Sequence, residues 1–578
     1  MSDLQIKKSS TTYDVVIVGS GAGGGMAGYV LANAGLKVLM LEAGPFFDPA
    51  KNSSQLKFPW ESPRRGASTD TRNFGDFDAA FGGWNLEGEP YTTKDNTEFQ
   101  WFRSRMLGGR TNHWGRISLR MGPFDFQPTD GLTTPWPITY GDMKPFYDKV
   151  DRMVGIYGTV EGLENEPDGI YLPPPAPRLN ELYIKKGAQK AGVTTIAGRG
   201  SILTEALPNN KNRGACFFCG QCNRSCKVYG DFSSSSVLVI PAIKTGNLKV
   251  IPNAMAREVL TDANGLATGV SYISKDDMQE YQVNGKIVVL GASSGETARL
   301  LLNSKSTKHP GGLANSSGVV GKYLHDSTGS GAGGWLPQLL DRKRYNEDGV
   351  GSVHIYSPWW LDNKKLNFPR GYHIEYGGGL HMPSYGFMGG IQGMNGAVPG
   401  RDGKMKEAGG FGADLKDDYR RFYGVGFGMA GRGTAIARED NYCEIDPDVV
   451  DKFGIPVLRF HYKWADEEIN QAKHMQDTFQ EIMHAMGAIT GPPAGKDTNY
   501  GLAAPGVIIH EVGTVRMGDD PKKSALNKYC QAHDCNNLFV VDAAPFVQQG
   551  DKNATWTILA LSMRTSEYIL SQRKKLNV

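Results

Sequence analysis

Tyr13-Asp14-Val15-Val16-Ile17-Val18-Gly19-Ser20-Gly21-Ala22-Gly23-Gly24 runs from an apolar strand straight into a glycine-rich turn. The strand is a near-continuous apolar run, the pattern of a strand covered on both faces, and the turn fits G-x-G-x-x-G. A helix reads over Met26 to Ala34, and a second strand, Lys37-Val38-Leu39-Met40-Leu41, ends at Glu42, 18 residues after Gly24. A dinucleotide needs this context: a tight turn, backbone amides at a helix N-terminus for the pyrophosphate, and a carboxylate for the ribose hydroxyls. Gly19, Gly21, Gly23, Gly24 and Glu42 are therefore candidate cofactor-binding residues. The motif alone does not choose between FAD and NAD.

The chain is 578 residues long, too long for one ordinary core, so two closely joined domains are expected. Its 40% hydrophobic and 21% charged residues are those of a folded, soluble protein. A formal charge of +3 is too balanced to attract nucleic acid or an anionic membrane surface. No apolar run approaches the roughly 18 residues of a membrane span. Residues 1–12 are polar, and the apolar stretch Tyr13–Val18 is too short for the core of an export signal, so none is read.

Beyond the first unit, residues 45–135 show little periodicity and read as loops over a cofactor, and Leu172-Pro173-Pro174-Pro175-Ala176-Pro177 reads as a stiff linker. Leu248–Ile251 and Ile287–Leu290 read as strands and Gly295–Asn303 as a helix. The character changes over 310–500, where segments such as Gly371-Tyr372-His373-Ile374-Glu375-Tyr376 alternate as antiparallel strands do. Glu467–Met486 has helical period, Leu538–Val541 reads as a strand, and Thr555–Gln572 as a closing helix.

Four of the seven cysteines, Cys216, Cys219, Cys222 and Cys226, fall within eleven positions. Neighbours so close can hardly all form disulfides, so the cluster points to soft-metal ligation, either an iron–sulfur cluster or structural zinc. Zinc sites usually take two distant Cys-x-x-Cys pairs, and there is no second pair here. Cys443, Cys530 and Cys535 are scattered; the last two could pair in an oxidising compartment.

Three blocks, taken together, resemble the glucose–methanol–choline (GMC) oxidoreductase family: the N-terminal unit with Leu41-Glu42-Ala43-Gly44, Leu107-Gly108-Gly109-Arg110-Thr111-Asn112-His113-Trp114, and Ile509-His510-Glu511-Val512-Gly513-Thr514 through Val541-Asp542-Ala543-Ala544 to Asn553-Ala554-Thr555. A weaker match is Val320–Asp326. The family's usual Asn-Pro-Thr appears as Asn553-Ala554-Thr555, which alters a turn rather than the chemistry.

The resemblance implies an α/β protein: a Rossmann-like FAD-binding domain assembled from separated segments (1–310, with a cysteine loop at about 205–232, and 501–578) and an antiparallel-sheet substrate domain, mainly 311–500. It implies His510 as catalytic base and Asn553 as its partner, with Gly108, Gly109, Asn112, His113, Asp542 and Thr555 near the FAD. A base for a hydroxyl proton should titrate near neutral pH, which histidine does unaided. Thr111-Asn112-His113-Trp114 is similar to the loop of pyranose oxidases in which histidine is bonded to the flavin, so attachment through His113 is open, as is simple packing beside the ring. Arg516, Gln548 and Asp551 are candidates for the substrate pocket.

The spacing of Cys216, Cys222 and Cys226 is similar to the 3Fe-4S cluster of bacterial FAD glucose dehydrogenases, and Cys219 leaves a 4Fe-4S cluster open. The implied activity is oxidation of a sugar or glycoside hydroxyl, with electrons leaving to a protein acceptor. The loop Gly230–Ser236 looks most like the glucoside 3-dehydrogenase branch, which favours a 3-keto product. The implied partners are a small subunit bearing the export signal and a cytochrome c-type acceptor, placing the chain in the bacterial periplasm or on its membrane face, with the cytoplasm as alternative. The competing readings are a glucose (carbon 1) or gluconate dehydrogenase, an oxygen-using sugar oxidase with structural zinc, and a flavin-binding protein without turnover.

Overall fold

A computed structural model of the chain describes residues 7–69, 72–76, 78–343, 349–379, 397–407 and 412–575; residues 1–6, part of the stretch in which no export signal is read, lie outside them. The strand Lys7–Val18 lies at the centre of a sheet whose parallel part runs in the order Leu538–Val540, Glu280–Leu290, Lys7–Val18, Val38–Leu41, Leu248–Ile251. Val15, Val16 and Ile17 are fully buried, as the unbroken apolar run predicts. An antiparallel hairpin, Ala254–Thr261 and Ala267–Ser274, extends the sheet by pairing with the first half of Glu280–Leu290.

The helix Ala22–Asn33 starts inside the glycine turn, four residues earlier than its apolar period suggests. It packs against the C-terminal helix Thr555–Gln572, and the Ser562 hydroxyl donates to the Gly23 carbonyl at 2.7 Å. A methyl group on Gly23 would overlap the Val541 carbonyl, so the glycine lets the helix sit directly on the strand end.

A second sheet is antiparallel, in the order Ile489–Thr490, Thr328–Trp335, Gly426–Gly433, Tyr372–Gly378, Ile355–Ser357, Ile196–Ala197. Helices Asp466–Met486 and Leu179–Lys190 cover one face, burying Met475, Phe479, Ile482 and Ile184 against Tyr372, Ile374, Tyr376, Phe427 and Met429. Because strand side chains alternate, His373, Glu375 and Arg432 belong to the opposite face. The helix Leu179–Lys190 and the strand Ile196–Ala197 join this sheet although they precede residue 311.

Gly23→Ala should cost at least about 1–3 kcal/mol through overpacking, read as a lowered Tm. An unchanged melt would mean that helix and strand do not meet this closely.

Candidate active site

The strand ends at Val18 and Leu41 open onto a cavity of about 400 Å³ lined by Gly19, Ser20, Gly21, Gly23, Glu42, Gly109, His113, His510, Asp542, Asn553 and Thr555. The helix Ala22–Asn33 points its N-terminus here with no side-chain cap and no acidic residue in its first turn. Uncapped amides at a helix start suit a phosphate. Glu42 holds the turn: its carboxylate accepts from the Ser20 amide (3.2 Å) and hydroxyl (2.5 Å) and from the Gly44 amide (2.8 Å). Two buried atoms on the wall, His113 Nε2 and Asn553 Oδ1, lack a hydrogen-bond partner in the protein. Buried polar atoms are rarely left so. Turn, uncapped helix and unpartnered atoms together fit a bound flavin dinucleotide.

Gly24 and Gly108 do not line the cavity; each packs close to neighbouring main chain. Asn112 is also set back from it. Its amide donates to the Leu107 (2.8 Å) and Gly109 (3.1 Å) carbonyls and accepts from Ser235 Oγ (2.7 Å), so it braces the Gly108–Gly109 turn. His113 lies beside Phe102 and Phe74, and burial, reinforced by Arg116 and Arg110, holds its imidazole down at about 3 and therefore neutral. Asp542 accepts from the Ser293 amide, the Thr297 hydroxyl and the Ala544 amide, and burial pushes it up to about 6.

His510 and Asn553 come together from 43 residues apart, with Asn553 Nδ2 3.5 Å from His510 Nε2. Ser327 Oγ occupies His510 Nδ1 at 3.1 Å, and Asp326 Oδ1 accepts the His510 amide at 2.9 Å. Ring and backbone are thus both held, leaving Nε2 with the Asn553 amide at 3.5 Å. Unaided neutral titration does not hold: burial, with Arg432, Arg110 and His373 outweighing the opposing Glu375, takes the imidazole down to about 3. It is then unprotonated throughout the physiological range, the form a base requires.

Behind the pair runs a chain of buried charges. Glu375 Oε1 accepts from Asn553 Nδ2 at 3.3 Å and lies 3.2 Å from His373 Nε2; His373 Nδ1 is 3.4 Å from Asp551, which pairs with Lys552 at 2.6 Å. Burial opposes ionisation of Glu375 and Asp551, but the first is held at about 2 by His373 and Arg432 and the second at about 2 by Lys552 and His373. Asp551 belongs to this chain and does not reach the cavity. Arg516 is stacked over Tyr323 at 4.1 Å, and Gln548 braces Ala435 and Ala437, so neither lines the cavity.

The residues not anticipated from sequence are Glu375, His373, Ser327, Arg432 and the Arg110–Glu511 pair. The only local signal for the first two is their alternation with Tyr372, Ile374 and Tyr376 in the strand Tyr372–Gly378.

Cys216, Cys219, Cys222 and Cys226 are free thiols, and Cys530 and Cys535 are likewise unpaired. Gln55 Nε2 lies 3.2 Å from Cys219 Sγ and 3.9 Å from Cys226 Sγ, and the Phe218 amide donates to Cys216 Sγ at 3.3 Å. Burial pushes Cys216 up to about 11 and Cys222 well above the ordinary thiol range. Such thiols stay protonated until a metal displaces the proton. The donor set fits a thiolate-held cluster in its chemistry, although among the described residues no three such side chains already converge on a metal position. The loop is fastened to the Gly108–Arg116 segment: Asp231 pairs with Arg116 at 2.8 Å, and Trp114 Nε1 donates to the Phe232 carbonyl at 3.0 Å.

His373 yields a pH prediction. Burial lowers its pKa, but hydrogen bonds to Asp551 and Glu375 outweigh this and raise it from 6.5 to about 9. The resulting stabilisation, on the order of 3 kcal/mol, is fully present below about 6.5 and lost as pH rises through about 9. Thermal melts should therefore drop across that window and flatten in His373→Gln; a wild-type Tm independent of pH there would contradict the pairing.

The chain matches two models described as GMC oxidoreductase, over residues 23–328 and 437–562. It is 29% identical to the 2-methyl-1,2-propanediol dehydrogenase of Mycolicibacterium austroafricanum over 97% of this chain and 96% of that protein. It is 27% identical to the fructose dehydrogenase large subunit of Gluconobacter japonicus (97% and 98% covered) and 24% to the gluconate 2-dehydrogenase flavoprotein of Pantoea cypripedii (97% and 94%). Its fold is similar to that of an Aspergillus oryzae formate oxidase, with a TM-score of 0.65 at 15% identity over 99% of each chain. With the glycine turn, the cavity and the His510–Asn553 pair, these matches establish that the chain belongs to the GMC oxidoreductase family.

Proposed function

We propose that this chain is the catalytic subunit of an FAD-dependent dehydrogenase that oxidises a ring hydroxyl of a glucose-type sugar or glycoside, with a 3-keto product favoured, and passes the electrons through an iron–sulfur cluster to a protein acceptor. Membership of the family makes it an oxidoreductase of CH–OH groups and implies FAD. The observation that carries the reading is the pair at the cavity wall, in which Ser327 takes His510 Nδ1 and leaves Nε2 beside the Asn553 amide at 3.5 Å.

His510, neutral and anchored through Nδ1 and its amide, takes the hydroxyl proton at Nε2. Asn553 holds the substrate by its amide at that point. FAD, when bound, supplies the acceptor for the hydride that leaves the carbinol carbon. Glu42, the glycine turn and the helix start would hold its ribose and phosphates.

Cys216, Cys219, Cys222 and Cys226 would hold the cluster, which supplies one-electron transfer. Their donor chemistry, the N–H groups at their sulfurs and the tie of their loop to the flavin-side segment support this. Fructose dehydrogenase and gluconate 2-dehydrogenase among the relatives support a sugar or sugar acid, and a 2-methyl-1,2-propanediol dehydrogenase adds a small diol. A small export-bearing subunit and a cytochrome-type acceptor at the periplasmic face complete the proposal, in keeping with a relative that is itself a large subunit.

Three measurements test it. With FAD-loaded protein and a panel of glycosides, aldoses, fructose, gluconate and 2-methyl-1,2-propanediol, at least one compound should bleach the flavin anaerobically, and His510→Ala should slow that by about 10²–10⁴-fold. A panel that leaves the colour untouched would end the reading. Purified protein should contain iron that Cys222→Ser loses; zinc in its place would favour the oxidase alternative. His113 Nε2 is unpartnered, which suits either a covalent flavin link or packing beside the ring; acid precipitation decides, a yellow pellet meaning the bond and a yellow supernatant excluding it.

A further inference from the structure

The proposed function makes His510 and Asn553 the groups that meet the substrate, and the role of their neighbour Glu375 rests on that reading. Asn553 has one amide edge turned to Glu375, whose Oε1 lies 3.3 Å from Nδ2. A carboxylate can only accept, and Glu375 is kept ionised by His373 at 3.2 Å and by Arg432, whose Nε is 3.8 Å from Oε2. The atom facing Glu375 must therefore be the amide nitrogen. Glu375 does not line the cavity and Asn553 does; the nitrogen is engaged by protein, by Glu375 and at 3.5 Å by His510 Nε2, and the unpartnered Oδ1 is left for a ligand. With Asn553 alone, the amide could turn over and offer either edge.

We infer that Glu375 is a positioning residue that fixes Asn553 as a hydrogen-bond acceptor beside His510 Nε2, so that the site selects substrates carrying a second hydroxyl next to the one oxidised. His510 Nε2 accepts the proton of the first hydroxyl, and Asn553 Oδ1 accepts from the second. Nδ2 lies 3.5 Å from Nε2 and Oδ1 is on the same carboxamide carbon, so both acceptors lie at one end of the cavity, within reach of neighbouring substrate atoms. A mono-alcohol leaves Oδ1 buried and unpaired, and that omission carries the discrimination. Arg432 and Arg110 bring positive charge towards His510, and Glu375 is the acid that opposes them. It thus serves the imidazole as well as the amide. His373, with Asp551 and Lys552 behind it, keeps the carboxylate in place.

The experiment compares a vicinal diol with the matching mono-alcohol, 1,2-propanediol against 1-propanol and a glycoside against its deoxy analogue at the neighbouring carbon, by anaerobic flavin bleaching. The wild-type enzyme should prefer the diol by about 10- to 100-fold in kcat/KM, the cost of an unsatisfied buried acceptor. In Glu375→Gln, whose amide allows Asn553 to turn over, the preference should shrink to within about threefold of unity while the flavin spectrum is unchanged. The same diol-to-mono-alcohol ratio should appear in Kd values measured by calorimetry on His510→Ala, where no turnover intervenes. A wild-type enzyme that bleaches equally fast with both members of a pair overturns the inference, and this measurement needs no variant. Full preference in Glu375→Gln, or in Glu375→Ala should the first variant fail to keep its flavin, also overturns it. His510→Ala that bleaches at the wild-type rate would instead remove the proposed function and leave the diol ratio standing.

Discussion

Arg110 and Glu511 face each other through two contacts, at 2.8 and 2.7 Å, across 401 residues of sequence. Arg110 belongs to the turn that borders the cavity, and Glu511 follows His510 directly. The pair therefore fixes His510 relative to the Gly108–Trp114 turn. Glu511 is almost completely enclosed, so losing its partner would leave an uncompensated buried charge, typically about 3–5 kcal/mol. That is comparable with much of a domain's net stability. The remaining contacts of the site, Ser327 on the ring, Asp326 on the His510 amide and Ser20 between Glu42 and the Gly108 amide, refine a geometry that this bridge first sets.

Much of the fold is legible in the sequence because its signals are local. The glycine turn, the apolar strands and the helices at 294–303, 466–486 and 555–572 each carry their own period, and the observed boundaries lie within one residue of those read for these three helices. The hairpin Ala254–Ser274 is less legible because neither of its strands buries alternate residues in a regular pattern. The split of the substrate sheet, with Ile196–Ala197 recruited to an edge, is likewise a tertiary fact.

The candidate site divides the same way. His510, Asn553, Asp542 and His113 stand in readable blocks and do line the cavity. Asn112 stands in such a block too, yet its hydrogen bonds are used inside the turn, which residue type cannot reveal. Glu375 and His373 lie on a strand whose alternation is visible, but only the neighbouring sheet and loops determine what their polar face meets. Arg516, Gln548 and Asp551 are polar residues near the His510 and Asn553 blocks whose partners turn out to be protein.

The central sheet draws its strands from residues 7 through 540, and the helix packed on its glycine turn ends at residue 572. On a ribosome adding about 5–20 residues per second, the opening strand therefore waits roughly half a minute to two minutes for the last strand of its sheet, Leu538–Val540, to emerge and pair with Glu280–Leu290. Until then the end of Glu280–Leu290 keeps an open edge, the glycine turn lacks the Val541 carbonyl it rests on, and a nascent chain has nowhere to lodge a nucleotide. Cofactor capture thus belongs to the completed polypeptide, and prematurely terminated products should accumulate as colourless clients of chaperones.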